Sequence, residues 1–328
     1  MTRIGILGAG RIAHTMADTI NEMIAEGYEG IELSAIASRD AVRAETFAHD
    51  HDIPIAYGAY EAMLEDPDVD LVYIATPHSL HAEQMLACME HGKAVLCEKA
   101  FTLNARQAYQ VLSYSESHGI LCTEAIWTRY MPMRKVINDM VWSGIVGIPR
   151  TIEANLFYVT SQKPRITDPA LGGGALLDVG VYVLNFAEMI FGHPDSITAS
   201  CTYFPSGVDE TDAMFLTWKD GRNAILSAGA SSRSSRRGTI FCSEGYIVVD
   251  NINNPQLLQA YDADDQLLKE VHAEKQINGY EYEVADAVDA LNDRDVECVA
   301  MPHEETIHIM QEMDAIRTQL GVRYPDED

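Results

Sequence analysis

Three short stretches of this 328-residue sequence carry side chains that could do chemistry. The first, Gly8-Ala9-Gly10-Arg11-Ile12-Ala13, follows an apolar run and opens a helical pattern. The second, AVLCEKAFTL (94–103), ends an apolar run on Glu98 and Lys99. The third, GGGALLDVGVYVLNFAEMIFG (172–192), is almost wholly apolar yet sets Asp178 and Tyr182 four residues apart, hence on one face of a helix. A lysine, a carboxylate and a phenol are groups that hold, orient and transfer protons. Each also has a plainer reading taken singly: Lys99 as a snorkelling residue that closes a strand, and Tyr182 as a core residue tied to its neighbouring aspartate. Context decides between them.

The glycine-containing turn reads as a phosphate cradle because of what flanks it. Gly8 permits a tight turn, Gly10 lets the backbone approach a pyrophosphate, and Ala13 allows close packing of helix on strand. The backbone N–H groups of Arg11 and Ile12 open the helix, whose N-terminus carries about half a positive charge toward an anion. At the end of the second strand, where a site for NAD usually has an acidic residue, the chain reads Ser38-Arg39-Asp40. A hydroxyl and a guanidinium suit a 2′-phosphate, and Arg39 can stack on adenine, so NADP is expected ahead of NAD; NAD would follow if Asp40 held the ribose instead. Thr76-Pro77-His78 closes the run LVYIAT at the carboxyl edge of the sheet, where ligands of open α/β sheets collect. His78 and His81 flank a helix start as cap or packing residues, and with no third ligand at hand no metal site is expected.

The elements that must position these groups follow from periodicity. Apolar runs IGIL, IELSAIA (31–37), LVYIAT (71–76), AVLCEK (94–99) and ILCTEA (120–125) alternate with helical spacings such as Ile12, Met16, Ile20, Met23 and Ile24, which predicts a parallel sheet with crossover helices. Asn104 is an expected helix N-cap and Gly119 an expected helix stop. Beyond about residue 150 the runs RTIEANLFYV, SITASCTYF, TDAMFLTW, NAILSAGAS, TIFCSE, YIVVD and PQLLQAYD read as strands, with turns at Lys219-Asp-Gly221 and Ser243-Glu-Gly245. Helical runs cover about 174–191, 280–291 and 303–320. The expected fold is α/β: a Rossmann doubly wound parallel sheet over 1–125, an α+β domain with a large, mainly antiparallel open sheet over 126–300, and a C-terminal helix with an acidic tail over 301–328.

Bulk properties agree with an enzyme of two domains. Apolar residues make up 47% and charged residues 22%, enough to build sizeable cores, and single cores stop growing near roughly 250–300 residues. With 23 Lys+Arg against 50 Asp+Glu the formal net charge is −27, which repels nucleic acid and anionic membranes. No basic leader precedes the first strand and no run of about eighteen apolar residues is evident, so a cytoplasmic protein is expected. The six cysteines, Cys88, Cys97, Cys122, Cys201, Cys242 and Cys298, have no C-x-x-C spacing and read as reduced thiols. SSRSSRRG (231–238) reads as a connection between strands whose Arg233, Arg236 and Arg237 meet neighbouring carboxylates; an anionic substrate is the alternative.

In order and spacing, GILGAGRIA, ATPHSLHAEQMLACMEHGKAVLCEK, TEAIWTRYMP and GGGALLDVGVY together resemble the Gfo/Idh/MocA oxidoreductase family, most of all the branch that holds dihydrodiol and NADP-linked D-xylose dehydrogenases. The motifs run from residue 4 to about 192, and the later strand pattern fits the family's second domain. The resemblance implies that Glu98-Lys99 matches the family's E-K-P motif, with Lys99 contacting substrate and nicotinamide. It implies that Asp178 and Tyr182 line the substrate site, Tyr182 as proton donor or acceptor, and that Trp127 and Arg129, following Glu124, lie near the cofactor. Lys99 would lower the effective pKa of Tyr182 from about 10. It further implies a polyol or carbonyl substrate and a homodimer or higher homo-oligomer formed through the second-domain sheet. Ala100 replaces the family proline, which makes a trans Lys99–Ala100 bond the expectation. A related inositol, keto-sugar or imine oxidoreductase is the alternative, as is a sensor that binds NADP without catalysis and needs the cradle but not Lys99 with Tyr182.

Overall fold

The computed structural model describes residues 1–325; the last three residues of the acidic tail lie outside the described residues. The chain forms two units. The first comprises Met1–Trp127 with Gln276–Ile307, the second Thr128–Lys275 with the remainder of the chain from His308.

In the first unit strands β1 (Thr2–Leu7), β2 (Ile31–Ala37), β3 (Ile55–Tyr57), β4 (Leu71–Ile74), β5 (Ala94–Glu98) and β6 (Cys122–Ala125) alternate with helices α1 (Arg11–Ala25), α2 (Ala41–Asp50), α3 (Tyr60–Leu64), α4 (His78–Glu90) and α5 (Ala105–His118). The strands form a parallel sheet in the order β3-β2-β1-β4-β5-β6, the doubly wound arrangement expected. Every residue of β4, β5 and β6 is buried, which is why these strands read as continuous apolar runs rather than alternating ones. Asn104 caps α5 by accepting from Gln107 N at 3.0 Å, and Gly119 ends it in the left-handed region at φ 65°.

The second unit contains α6 (Pro132–Trp142), β7 (Pro149–Phe157), the short helix α7 (Pro164–Thr167), a π-helical turn over Leu176–Gly180 that runs straight into α8 (Val181–Phe191), and strands β8 (Ser196–Tyr203), β9 (Asp209–Thr217), β10 (Asn223–Gly229), β11 (Gly238–Cys242), β12 (Gly245–Val249), β13 (Leu257–Asp262) and β14 (Leu267–His272). Its sheet has the order β14-β13-β12-β11-β7-β10-β9-β8 and is antiparallel except where β7 pairs with β10. Alternating burial along β9 and β10 leaves one face open to solvent. The segment Pro169–Phe191 is long and apolar enough by composition to cross a membrane, which the strand-and-helix spacing did not lead one to expect; 94% of its most apolar 18-residue window is buried inside the protein.

The boundary at the C-terminal side differs from the sequence reading, which ran the second domain unbroken to residue 300. The chain instead rejoins the first unit at Gln276, contributing α9 (Glu281–Asp293). Polar contacts hold the returning segment: Asn278 Nδ2 donates to Thr19 Oγ1 at 2.8 Å, and Cys122 N donates to the Val296 carbonyl at 3.0 Å. The last helix, α10 (His303–Leu320), begins in the first unit and continues in the second, where Tyr203 Oη donates to the Leu320 carbonyl at 2.6 Å.

Candidate active site

Register collects the first unit's candidate residues at one sheet edge. Leu7 aligns with Ala37 and with Ile74, Ile74 with Cys97, and Cys97 with Glu124. The residues that follow this row, Gly8, Ser38, Thr76 and Glu98-Lys99, therefore emerge side by side at the carboxyl ends of the strands.

At the cradle Gly8 has φ +104°, and a Cβ there would lie 2.9 Å from the Ala75 carbonyl oxygen and from Thr76 Cγ2. Only glycine fits both the conformation and the space. The first backbone bond of α1 runs from His14 N to Gly10 O, so the N–H groups of Arg11, Ile12 and Ala13 precede the helix's own hydrogen bonding. This turn fits a pyrophosphate. Beside it Ser38 is buried and Arg39 exposed. Asp40 caps α2 through Arg43 N at 3.2 Å, a task other than holding a ribose. Arg43, a residue the sequence reading missed, reaches back to donate from Nη2 to the Ala9 carbonyl at 2.5 Å. The signal was available as a second arginine four residues after Arg39.

Next along the edge, Thr76 Oγ1 donates to Gln84 Oε1 at 2.5 Å, while Pro77 precedes α4 and His78 opens it, buried. His81 is fully buried, its Nδ1 2.9 Å from the Ala100 carbonyl oxygen and its Nε2 3.0 Å from that of Thr76. Burial lowers its pKa, against the pull of the two carbonyl oxygens that its ring nitrogens face. The Lys99–Ala100 peptide bond is cis, contrary to the trans expectation; Ala100 is buried and its carbonyl is the one His81 holds.

Lys99 is half-buried, and its N–H donates to Glu98 Oε2 at 3.2 Å. Glu98 also accepts from Tyr73 Oη. Behind it lies Glu283 of α9, fully buried; burial, then the charges of Glu98 and Glu124, push its pKa well above the carboxylate range. The sequence reading could not see this residue, which is 185 positions from Glu98 along the chain. Trp127, at the end of the first unit's opening segment, stacks on Tyr280 with centroids 4.2 Å apart and planes 8° from parallel.

In the second unit Asp178 stands in the π-helical turn and Tyr182 in the first turn of α8. Both are buried, at 4% and 8% exposure, in a helix that is otherwise apolar around most of its circumference. Asp178 Oδ1 pairs with Arg165 Nη1 at 2.7 Å, a partner absent from the sequence reading. Arg129, 2% exposed, donates from Nε to Asn185 Oδ1 at 2.6 Å and so serves the interior of this unit. Arg233, Arg236 and Arg237 do lie in a connection between strands, β10 to β11. Among the described residues they form no ion pair; Arg236 instead lies over the Tyr158 ring at 5.9 Å.

Both halves of this architecture match family models, residues 2–125 that of an oxidoreductase family with an NAD-binding Rossmann fold and residues 135–248 that of the GFO/IDH/MocA C-terminal domain. A trans-1,2-dihydrobenzene-1,2-diol dehydrogenase of Xenopus tropicalis is 30% identical over 331 residues, covering 99% of each chain. The chain belongs to the Gfo/Idh/MocA oxidoreductase family. The mouse dehydrogenase of the same name is 34% identical over 255 residues, or 77% of this oxidoreductase and 76% of the relative. Among solved structures, KijD10, a 3-ketoreductase from Actinomadura kijaniata in complex with NADP and TDP-benzene, superposes with TM-score 0.86 at 24% identity over 97% of each chain. Aldose-aldose oxidoreductase from Caulobacter crescentus, complexed with glycerol, gives TM-score 0.86 at 22% identity, covering 98% of this chain and 97% of that one. At these identities the two structures speak to the fold.

Proposed function

We propose that this oxidoreductase works with NADP on a secondary alcohol or carbonyl of a sugar or dihydrodiol-like polyol, with Tyr182 as acid/base and Lys99 assisting. The observation that carries the reading is the pair Asp178 and Tyr182, buried polar groups four residues apart on one face of a largely apolar helical run. Such groups cost stability where they serve only packing. Relatives named for dihydrodiol oxidation support the substrate class.

NADP is favoured over NAD because Ser38, Arg39 and Arg43 form a cationic, hydroxyl-bearing corner while Asp40 is engaged as a helix cap. The cofactor, when bound, supplies the hydride acceptor or donor. Gly8 and the opening of α1 receive its pyrophosphate, with Thr76, Pro77 and Trp127 as further contacts. Tyr182 Oη, as the phenolate, takes the proton of the hydroxyl being oxidised while hydride leaves the same carbon, and as the phenol returns it in the reverse direction. Lys99 stabilises the negative charge that develops on that oxygen. Asp178, oriented by Arg165, positions a second substrate hydroxyl.

The reading includes a homo-oligomer formed through the open face of the second sheet. Phe215 and Ile225 are paired neighbours there, 45% and 52% exposed, and Phe241, 40% exposed, pairs with Tyr246, which stacks on Tyr261. A reducing, cytoplasmic setting suits six cysteines that form no disulfide among the described residues.

The test is reduced-cofactor formation by purified protein with NADP⁺ and separately NAD⁺ across trans-dihydrodiols, aldoses and inositols. Turnover of a polyol with NADP⁺ supports the reading. Turnover with NAD⁺ alone overturns the cofactor assignment, and silence across the panel, with cofactor shown to bind, overturns the substrate class.

A further inference from the structure

A second cluster of ligating side chains lies in the second unit, away from Asp178 and Tyr182 in role. Glu188 stands near the end of α8 and His193 two residues beyond it, while His308 and Glu312 are four apart on α10 and share a face of that helix. The Glu188 side chain is 0% exposed. Its Oε2 lies 3.1 Å from His193 Nδ1 and 4.0 Å from Arg129 Nη2. Its Oε1 is buried with no hydrogen-bond partner among the described residues. One ligand atom from each of Glu188, His193 and Glu312 falls within 4.8 Å of the others. The His308 ring packs against His193 with centroids 3.8 Å apart, and its Nδ1 is likewise buried without a partner among the described residues.

Two carboxylates set together, Glu188 and Glu312 both buried, are unfavourable unless positive charge sits among them. Arg129 supplies part of that charge from one side, with its Nε already given to Asn185. We propose that Glu188, His193 and Glu312, with His308 alongside, bind one divalent cation of the zinc class. A mixed imidazole and carboxylate donor set suits zinc and its first-row neighbours, whereas calcium and magnesium prefer six or more oxygens. Zinc bonds of about 2.0–2.2 Å place tetrahedral ligands roughly 3.3 Å apart, a closure that side-chain rotation supplies. His193, whose side chain is 37% exposed, provides the route of entry. The ion would fasten α10 to the helix that carries Tyr182, a structural role that leaves the proposed chemistry unchanged. No short-spacing motif announced it, because the ligands lie in two groups more than a hundred residues apart.

The experiment uses the full chain, stripped with chelator and dialysed, titrated calorimetrically with zinc chloride and separately with cobalt(II) as a spectroscopic probe. One zinc per chain should bind, and at zinc concentrations about a hundred times Kd the Tm should rise by roughly 4 °C. Cobalt should give the intense visible absorption of a four-coordinate site. His193→Ala, at a partly exposed position, and Glu312→Gln should each weaken zinc binding about a hundredfold or more while far-ultraviolet circular dichroism stays unchanged. Absence of stoichiometric uptake, or of the cobalt absorption in the unaltered chain, overturns the proposal whatever the variants do. So does uptake that both variants leave intact, since it then belongs to thiols or surface histidines elsewhere.

Discussion

Replacing Asp212 with Asn should make the protein more stable, by an amount that grows with pH. Asp209 and Asp212 both lie on β9 and both are fully buried. Asp209 Oδ2 accepts from the backbone N–H of Leu176 at 2.6 Å, which anchors the carboxylate at the start of the π-helical turn. Burial, then the neighbouring charge of Asp209, pushes the Asp212 carboxyl well above the usual range; burial also raises Asp209. Asp212 is thus the member of the pair that holds its proton to higher pH. In the unfolded chain that proton leaves near pH 4. Between the unfolded and the folded pKa only the folded state binds it, so stability falls as pH rises, by up to about 1.4 kcal/mol per pH unit. Asparagine keeps an N–H donor for Asp209 and has no proton to lose. From pH 5 to pH 7 the stability difference between Asp212→Asn and the unaltered protein should therefore grow by up to about 2.7 kcal/mol, or up to roughly 4 °C in Tm. Groups common to both proteins cancel in the difference. Scanning calorimetry of both at pH 5, 6 and 7 measures it. A difference that stays flat across that range, or a variant that loses ground toward pH 7, would refute the protonated-pair argument.

Two other outcomes follow from the cofactor corner and the open sheet. Arg39→Ala and Arg43→Ala should each weaken NADP binding roughly tenfold to a hundredfold, the worth of one charge-assisted hydrogen bond, and change NAD binding much less; equal losses for both cofactors in a calorimetric titration would remove the 2′-phosphate from the account. Ile225→Glu combined with Phe215→Glu places two charges on an exposed apolar pair and should shift the assembly to monomer in sedimentation velocity, with far-ultraviolet circular dichroism preserved. A monomeric unaltered protein would overturn that reading outright.

What the sequence disclosed was local, and what it concealed was brought together by the chain's long-range path. GAGRIA, Asn104 and Gly119 announce a turn, a cap and a stop because each residue's own stereochemistry demands it, and all three stand where expected. The strands β4, β5 and β6 were legible because burial on both faces writes an unbroken apolar run. Strand β3 was not: Ile55–Tyr57 is a three-residue edge strand, half exposed, too short to show a period. The parallel pairing of β7 with β10 depends on sheet order, which alternation along one strand does not encode. Return of the chain at Gln276 rests on side-chain contacts such as Asn278 with Thr19, 259 positions apart, and no local pattern marks it. At the site, Lys99, Asp178 and Tyr182 stood out as polar groups in apolar settings, whereas Arg165, Glu283 and the buried Asp209–Asp212 pair look like ordinary surface charges until the fold surrounds them.

The proposed chemistry rests most heavily on Tyr182, and Tyr182→Phe tests it most directly. The phenyl ring preserves the packing of a buried side chain and removes only the group that exchanges a proton. With a substrate identified, kcat should fall about a hundredfold to ten-thousandfold, while the NADPH dissociation constant, followed by nucleotide fluorescence, stays within about threefold, short of the roughly tenfold to hundredfold loss expected from one charged hydrogen bond. Retention of kcat, or parallel loss of turnover and NADPH affinity, would contradict the assignment of Tyr182 as the acid/base.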